Sequence, residues 1–339
     1  MHPLGRNTLL RTIFDVAEIY GVDRNAILDE IELEPALADQ PGALIASSKI
    51  IDAVEYAAIA TGRDDFGLLL GSRQDHRLLG PIGLFVEHCK SVGEAVAEGG
   101  RYLYLHNSAL LYTLTPGREN YVFRLQIGAR GKYPPRQYVE ALLTMCIRFC
   151  RVMLGAQWLP HGVLLEHQRM AGRAAYRRVF GDNIRFGQHM NALQAPRRDF
   201  DQRIGPSDPR IKQMVQRILE DLDQEYAENA PAMVASLLRP LLASGQATAA
   251  KLAARMSLTP RTFQRRLAEQ RTSYKQILLE TRIQIVKEYL PRSGMTVTKL
   301  APILGFSDST AASRFLREHV GRSATAIKAK SQQRGKTGI

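Results

Sequence analysis

Arg261, Gln264 and Arg265 stand together in the stretch PRTFQRRLAE, residues 260–269. Arginine offers a two-pronged donor to the O6 and N7 edge of guanine, and glutamine pairs a donor with an acceptor against adenine. Phe263 and Leu267 are spaced i,i+4, so a helix would turn them inward and leave Arg261, Thr262, Gln264 and Arg265 wholly or partly outward. A second polar set, Ser309, Thr310, Ser313, Arg314 and Arg317, follows in DSTAASRFLREH, residues 308–319. Such side chains read base edges and anchor phosphates, which requires rigid helices to aim them.

The elements that would aim them form an internal repeat. Residues 248–267 (TAAKLAARMSLTPRTFQRRL) and 296–315 (TVTKLAPILGFSDSTAASRF) match at a constant offset of 48, with identities at Thr248/Thr296, Lys251/Lys299, Leu252/Leu300, Ala253/Ala301, Thr262/Thr310 and Arg266/Arg314. In each unit a threonine can cap a short helix, and Ser257 or Gly305 marks a tight turn, with glycine the better suited to a left-handed backbone. Leu258 or Phe306 plugs the turn, and Thr259 or Ser307 can cap a second helix. Pro260 suits the first helical position, and Asp308 suits the positive end of a helix dipole. Helix, tight turn and capped helix together predict two helix-turn-helix units. Residues 274–290 (YKQILLETRIQIVKEYL) carry an apolar stripe and predict a joining helix of roughly 25 Å. That length suits two helices placed about one DNA turn apart, roughly 34 Å.

Charge points to the same partner. Residues 232–339 hold 19 Lys and Arg against 5 Asp and Glu, whereas residues 1–231 hold 27 against 28. The net charge of +13 therefore belongs to the last third, and a polyanion is its natural partner, nucleic acid first and an acidic membrane surface second. No run of 18 uncharged apolar residues predicts a membrane span, and no leader pattern opens the chain. The three cysteines, Cys89, Cys146 and Cys150, suit a reducing compartment. The expectation is a cytoplasmic protein without a membrane partner.

The stretches LAARMSLTPRTFQRRLAEQRTSYKQILLETR (252–282) and APILGFSDSTAASRFLREHVGRSATAIK (301–328) resemble the two halves of an AraC/XylS DNA-binding domain. The distinctive marks are RTFQRRL, the TSY that begins the joining helix, Arg282, LGFSDS and Gly321-x-Ser323. The resemblance implies a transcription regulator, activator or repressor, acting on double-stranded promoter DNA. It further implies RNA polymerase, a small-molecule effector of unknown identity and a homodimer as partners. It places base contacts on Arg261, Gln264 and Arg265 in unit one, and on Thr310, Ser313 and Arg314 in unit two. The chain departs from the family at Ala312, where a large apolar residue is usual, and at Phe315, where a small one is usual. Ala324 replaces a usual proline and Ile327 a usual aromatic, and Pro302, which lacks an N–H, is expected to kink or shorten its helix. Unit one is thus expected to read bases, and unit two to work mainly through phosphate and shape.

The preceding region resembles the effector-recognition domain of the AraC subgroup that includes ornithine- and virulence-type regulators. VEYAAIATGRDDFGLLLG (54–71), GPIGLFVEHCKSVGEAV (80–96), QWLPHGVLLEHQ (157–168) and FGDNIRFGQHMNAL (180–193) carry that likeness. From the residues themselves, helices are predicted over 6–20, 23–31 and 47–61. Others run from a cap at Asp64 or Asp65 to Leu70, from Ser91 to Leu103, from Pro134-Pro135 to Leu154, over 172–179, and from Asp208-Pro209 to about Glu228. Alternation over 109–115 and 120–127 predicts a hairpin, and 162–166, 184–186 and 190–194 read as strands. The predicted architecture is an α+β regulatory domain (1–228), a linker (229–232), an all-α domain with two helix-turn-helix units (233–330) and a disordered basic tail (331–339).

Other chemistry is weaker. His161 and His167 flank a strand, six residues apart, but two imidazoles do not close a metal site. Cys146 and Cys150 are i,i+4, the spacing of a redox pair and also of ordinary core cysteines. Gly131-Lys132 and Gly335-Lys336-Thr337 only echo a phosphate loop. Tyr102, Tyr104, Tyr112, Tyr121 and Phe123 are candidates for core packing or an effector pocket. No catalytic group, metal or cofactor is predicted. The competing readings are an architectural DNA-binding protein without sequence choice and, lower in rank, a DNA-targeted enzyme of the alkyl-transfer kind, whose reactive cysteines lack a counterpart here.

Overall fold

The computed structural model describes residues 3–205, 208–227, 230–243, 247–255, 260–290 and 295–321. It divides into two compact units, His2–Glu225 and Tyr226 onward.

In the first unit, β1 (Leu4–Arg6) is followed by α1 (Thr8–Ile19), α2 (Arg24–Glu30), α3 (Pro35–Asp39) and β2 (Leu44–Ala46). Next come α4 (Ser47–Thr61), α5 (Phe66–Arg73), α6 (Pro81–Glu87) and α7 (Val92–Tyr102). The hairpin β3 (Leu110–Pro116) and β4 (Asn120–Ile127) leads into α8 (Arg136–Leu154), β5 (Gly162–Leu164), α9 (Arg173–Phe180), β6 (Ile184–Arg185), β7 (Asn191–Pro196), α10 (Arg197–Asp201) and α11 (Pro209–Ala227). β1 pairs with β2. The main sheet runs β3-β4-β7-β5-β6, antiparallel except for the β5/β6 pair.

Two apolar cores share α8. Its Tyr138 and Ala141 join the helical core of Leu10, Ile13, Ile51 and Phe66, while Val139, Leu143 and Ile147 pack with Phe123, Val163 and Leu193 of the sheet. α5 approaches α8 at Gly67 and Gly71, where an added Cβ would fall 2.2 and 2.4 Å from the Gln137 and Ala141 carbonyl oxygens. Only glycine admits that crossing. Asp64 and Asp65 do not cap α5 as expected. Asp65 is taken by Arg63 at 2.8 Å, and Gln137 Oε1 from α8 accepts from the Gly67 N–H at 2.6 Å. Ser91 caps α7 as predicted, accepting from the Glu94 N–H.

The second unit is helical: α12 (Ala230–Ala243), α13 (Ala249–Arg255), α14 (Pro260–Glu269), α15 (Tyr274–Tyr289), α16 (Val297–Ile303) and α17 (Ser309–His319). Residues 230–232, read as linker, instead open α12. Pro231 sits in the first turn, where a missing N–H forfeits no helical hydrogen bond. Leu242 of α12 enters a core with Ile285, Val286, Leu300, Leu304, Phe315 and Leu316. The predicted basic tail and Gly335-Lys336-Thr337 lie outside the described residues.

Candidate nucleic-acid interface

The two units start alike. Thr248 Oγ1 accepts from the Lys251 N–H at 3.2 Å and Thr296 Oγ1 from the Lys299 N–H at 3.3 Å. Pro302 is contained in α16, which continues to Ile303. It lies in the last turn, where only the bond to the Thr298 carbonyl is forfeited. α16 ends in a Schellman turn: the Phe306 N–H donates to the Ala301 carbonyl and the Gly305 N–H to the Pro302 carbonyl, both at 3.0 Å. Gly305 there has φ +72, and a Cβ on it would sit 2.9 Å from Leu242 Cδ2 and 3.0 Å from the Leu242 carbonyl oxygen. The corresponding Ser257, Leu258 and Thr259 lie outside the described residues.

The constant offset of 48 holds for the first helices but not for the second. On α14 the buried pair is Phe263 and Leu267, and on α17 it is Ala312 and Leu316, an offset of 49. The cap of α17 is accordingly Asp308, not Ser307. Its carboxylate accepts from the Ala311 N–H at 2.8 Å, and that bond holds the carboxyl below its usual range. Buried Phe263 and Leu267 of α14 thus correspond to buried Ala312 and Leu316 of α17. Arg261, Gln264 and Arg265 then correspond to Thr310, Ser313 and Arg314, and the sequence identities Thr262/Thr310 and Arg266/Arg314 are not structural equivalences.

Arg261, Gln264 and Arg265 are exposed on α14. Arg265 pairs with Glu269 at 3.5 Å, an exposed i,i+4 pair that holds it weakly. The Thr262 side chain lies outside the described residues. On α17, Thr310, Arg314 and Arg317 are exposed, whereas Ser309 and Ser313 are half-buried. The Ser313 hydroxyl donates to the Ser309 carbonyl at 2.8 Å, which leaves it chiefly an acceptor toward any partner.

Sequence reasoning missed how α15 holds the two readers. Ser273 caps it, accepting from the Gln276 N–H at 3.2 Å. The Tyr274 hydroxyl donates to the Ala247 carbonyl at 2.6 Å, tying the N-terminal end of α15 to the start of unit one. Arg282 Nε donates to the Leu304 carbonyl at 2.9 Å, and its guanidinium lies 4.2 Å from the Phe306 ring centroid. That contact fixes the turn of unit two. Phe306 in turn lies 5.6 Å from Phe315, which packs in the same core as Leu300, Leu304 and Leu316. Buried Arg239 of α12 meets Glu288 of α15 through two bonds of 2.7 Å. The available signal was an arginine isolated in the apolar run SLLRPLLA, which demands an acidic partner.

Other sequence candidates separate. His161 Nδ1 meets Asn120 at 3.0 Å, while His167 sits beside Glu140 and the Gln168 carbonyl. Cys89, Glu94 and Glu98 lie within 4.8 Å of one another, a possible metal set, but Lys212 supplies the cation at 2.6 and 2.9 Å from the two carboxylates. Gly131 lies against the Asp52 carboxylate, and Lys132 pairs with Glu30, which leaves no phosphate cradle at that pair. The cysteines are free, and burial pushes the Cys89 and Cys146 thiols up to about 12 and Cys150 well above its usual range. No helix among the described residues is long and apolar enough to cross a membrane.

The family described as the helix-turn-helix domain matches residues 252–330, and the arabinose-binding domain of the AraC transcription regulator matches residues 21–204. The chain is 27% identical over 318 residues to the HTH-type transcriptional regulator VirS of Mycobacterium tuberculosis, covering 93% of this chain and 94% of that protein. It is 24% identical over 317 residues to the ornithine utilization regulator of Pseudomonas aeruginosa, covering 91% and 92%. The solved structure of the transcriptional regulator CdpR from Pseudomonas aeruginosa aligns over 90% of this chain and 96% of its own, with 18% identity and a TM-score of 0.46. With a regulator-type N-terminal domain matched over more than half its length and a paired helix-turn-helix domain behind it, the chain belongs to the AraC family of transcription regulators.

Proposed function

We propose that this regulator reads two short boxes on one face of promoter DNA, with α14 in one major groove and α17 in the next. The observation that carries this is the equivalent placement of Arg261, Gln264 and Arg265 with Thr310, Ser313 and Arg314 at the two ends of α15. Sixteen residues of helix span about 24 Å. Arg261, Gln264, Arg265 and Arg314 act as base readers; Thr310 and Ser313 are lesser donors and acceptors, and Thr262, Ser309 and Arg317 contact phosphate. Unit one, with two arginines and a glutamine exposed, carries more of the sequence choice. Control comes from the first unit, through a small effector or self-association as a homodimer, and the output passes to RNA polymerase. The setting is the cytoplasm. The protein acts by binding: its buried thiols hold their protons at neutral pH, which disfavours an alkyl-acceptor enzyme.

Site selection from a random DNA pool, followed by affinities over a salt series, tests the reading. The expected winner has two boxes about one helical turn apart and binds about 10³-fold or more tighter than scrambled DNA. Arg265→Ala should cost about 1–3 kcal/mol on the selected site and much less on scrambled DNA. Equal losses on both would make Arg265 a phosphate anchor. Equal affinity of the parent chain for all sequences, with and without candidate effectors, would leave the architectural reading.

A further inference from the structure

The first unit holds an apolar cavity of about 130 Å³ between the main sheet and the α6, α7 and α8 helices. Val86, Tyr112, Phe123, Met145 and Phe149 contribute to its lining, along with His76. Of the five aromatic residues singled out from sequence, only Tyr112 and Phe123 are among them. Apart from the His76 imidazole, the Tyr112 hydroxyl and the Cys146 and Cys150 thiols, the lining is aliphatic or aromatic hydrocarbon and thioether. Among the described residues, no arginine, lysine or carboxylate lines it.

His76 is out of place in such a lining unless something uses it. The residue is 7% exposed, and its ring meets Phe149 edge-on at 5.2 Å. Nε2 lies 2.7 Å from Glu87 Oε1, which also accepts from Arg77 Nε at 2.9 Å. A carboxylate only accepts, so the neutral ring carries its proton on Nε2 and keeps a lone pair on Nδ1. That Nδ1 is buried and has no hydrogen-bond partner. A buried acceptor left unpaired is costly, and a partner that donates to it is favoured.

We propose that this cavity is a small-molecule site for an uncharged, mainly aromatic ligand about the size of phenol, anchored by one hydroxyl that donates to His76 Nδ1. The proposal rests on the reading of the first unit as an effector domain and names the chemistry of the effector. The size follows from volume: an apolar cavity of about 150 Å³ accommodates benzene. Charge is excluded because a carboxylate entering here meets no cation, only a histidine already committed to Glu87. A bound ring would touch the sheet and α8 on one side and the α6–α7 hairpin on the other, so binding fixes their spacing.

Calorimetric titration of the full chain without DNA, using phenol, anisole, toluene and benzoate, tests it. Phenol should bind one to one, and about tenfold tighter than anisole or toluene, neither of which can donate. Benzoate should not bind. His76→Phe keeps the ring volume, so toluene binding should persist while phenol falls to the same level. Val96→Phe, which fills the cavity from α7, should abolish both. Equal binding of phenol and toluene to the parent chain, phenol binding unchanged in His76→Phe, or no binding of either compound overturns the proposal. If His76→Phe does not fold, the phenol-to-anisole ratio on the parent chain decides. Operator affinity with and without phenol then separates the two ideas: phenol bound with operator affinity unchanged supports the site and removes only the effector reading.

Discussion

At the scale of single residues, Gly305 has two independent reasons to be glycine. It holds a left-handed φ of +72 in the turn of unit two, and its Cα faces the Leu242 backbone. Gly305→Ala should destabilise the second unit by about 2 kcal/mol, since the backbone strain alone costs roughly 1–2 kcal/mol for an L residue. Urea unfolding followed by helical circular dichroism measures it, and an unchanged midpoint would refute the assignment. The α14 helix ends in the same kind of turn, but with Arg271 at φ +53 in the glycine position. Arg271 and Thr272 still donate to the Ala268 and Leu267 carbonyls at 2.9 and 3.0 Å. Gly305 was legible in the sequence because glycine advertises its backbone. Arg271 was not, because an arginine adopting that backbone leaves no trace in residue type.

At the scale of elements, α15 does more than set a distance. Tyr274 and Arg282 bind its two halves to the two reading units, and the Arg239–Glu288 pair binds its C-terminal half to α12. Arg239 is 9% exposed, so Glu288→Ala would strand a buried guanidinium and should cost about 3 kcal/mol. Adding Arg239→Met should restore most of that loss, because an apolar side chain in the same volume leaves no charge behind. Chemical unfolding of the parent, single and double variants checks this; a double variant no better than the single one would mean the pair is not what holds α12. The helices themselves were readable from periodicity and caps, with α8 the clearest case. The short elements β1, β2, α3, α6 and α10, of three to seven residues, were not read.

At the scale of the whole molecule, two buried carboxyls and two buried imidazoles make stability depend on pH. Burial pushes Glu55 and Glu140 up to about 8, although the Tyr138 N–H and the Tyr176 hydroxyl donate to them. Between their unfolded value of about 4.5 and about 8, the native state keeps protons that the unfolded chain releases. Stability therefore falls as pH rises through that window, by at most about 1.4 kcal/mol per unit for each group. Burial pulls His106 down to about 4 and His167 also down. Those two act oppositely, losing stability as pH falls below about 6.5. The melting temperature of the first unit should thus decline from pH 6.5 to 8, where the carboxyls act alone. Glu140→Gln should roughly halve that slope, and a parallel decline in both proteins would exclude Glu140 as a source.

Sequence by itself determined the kind of molecule. The confinement of +14 charges to residues 232–339, the repeated capped helices and the RTFQRRL and LGFSDS motifs were enough for a DNA-binding regulator, because charge, caps and periodicity are local properties of the chain. Tertiary structure decided what depends on distant partners. Burial sets α17 at an offset of 49 from α14, so that Arg314, not Ser313, matches Arg265, and only burial reveals the phase of a helix whose apolar residues include Ala312. The cavity around His76 is likewise assembled from the turn before α6, four helices and the main sheet. No window of sequence contains it, since a cavity is defined by side chains that meet only after the cores around α8 have formed.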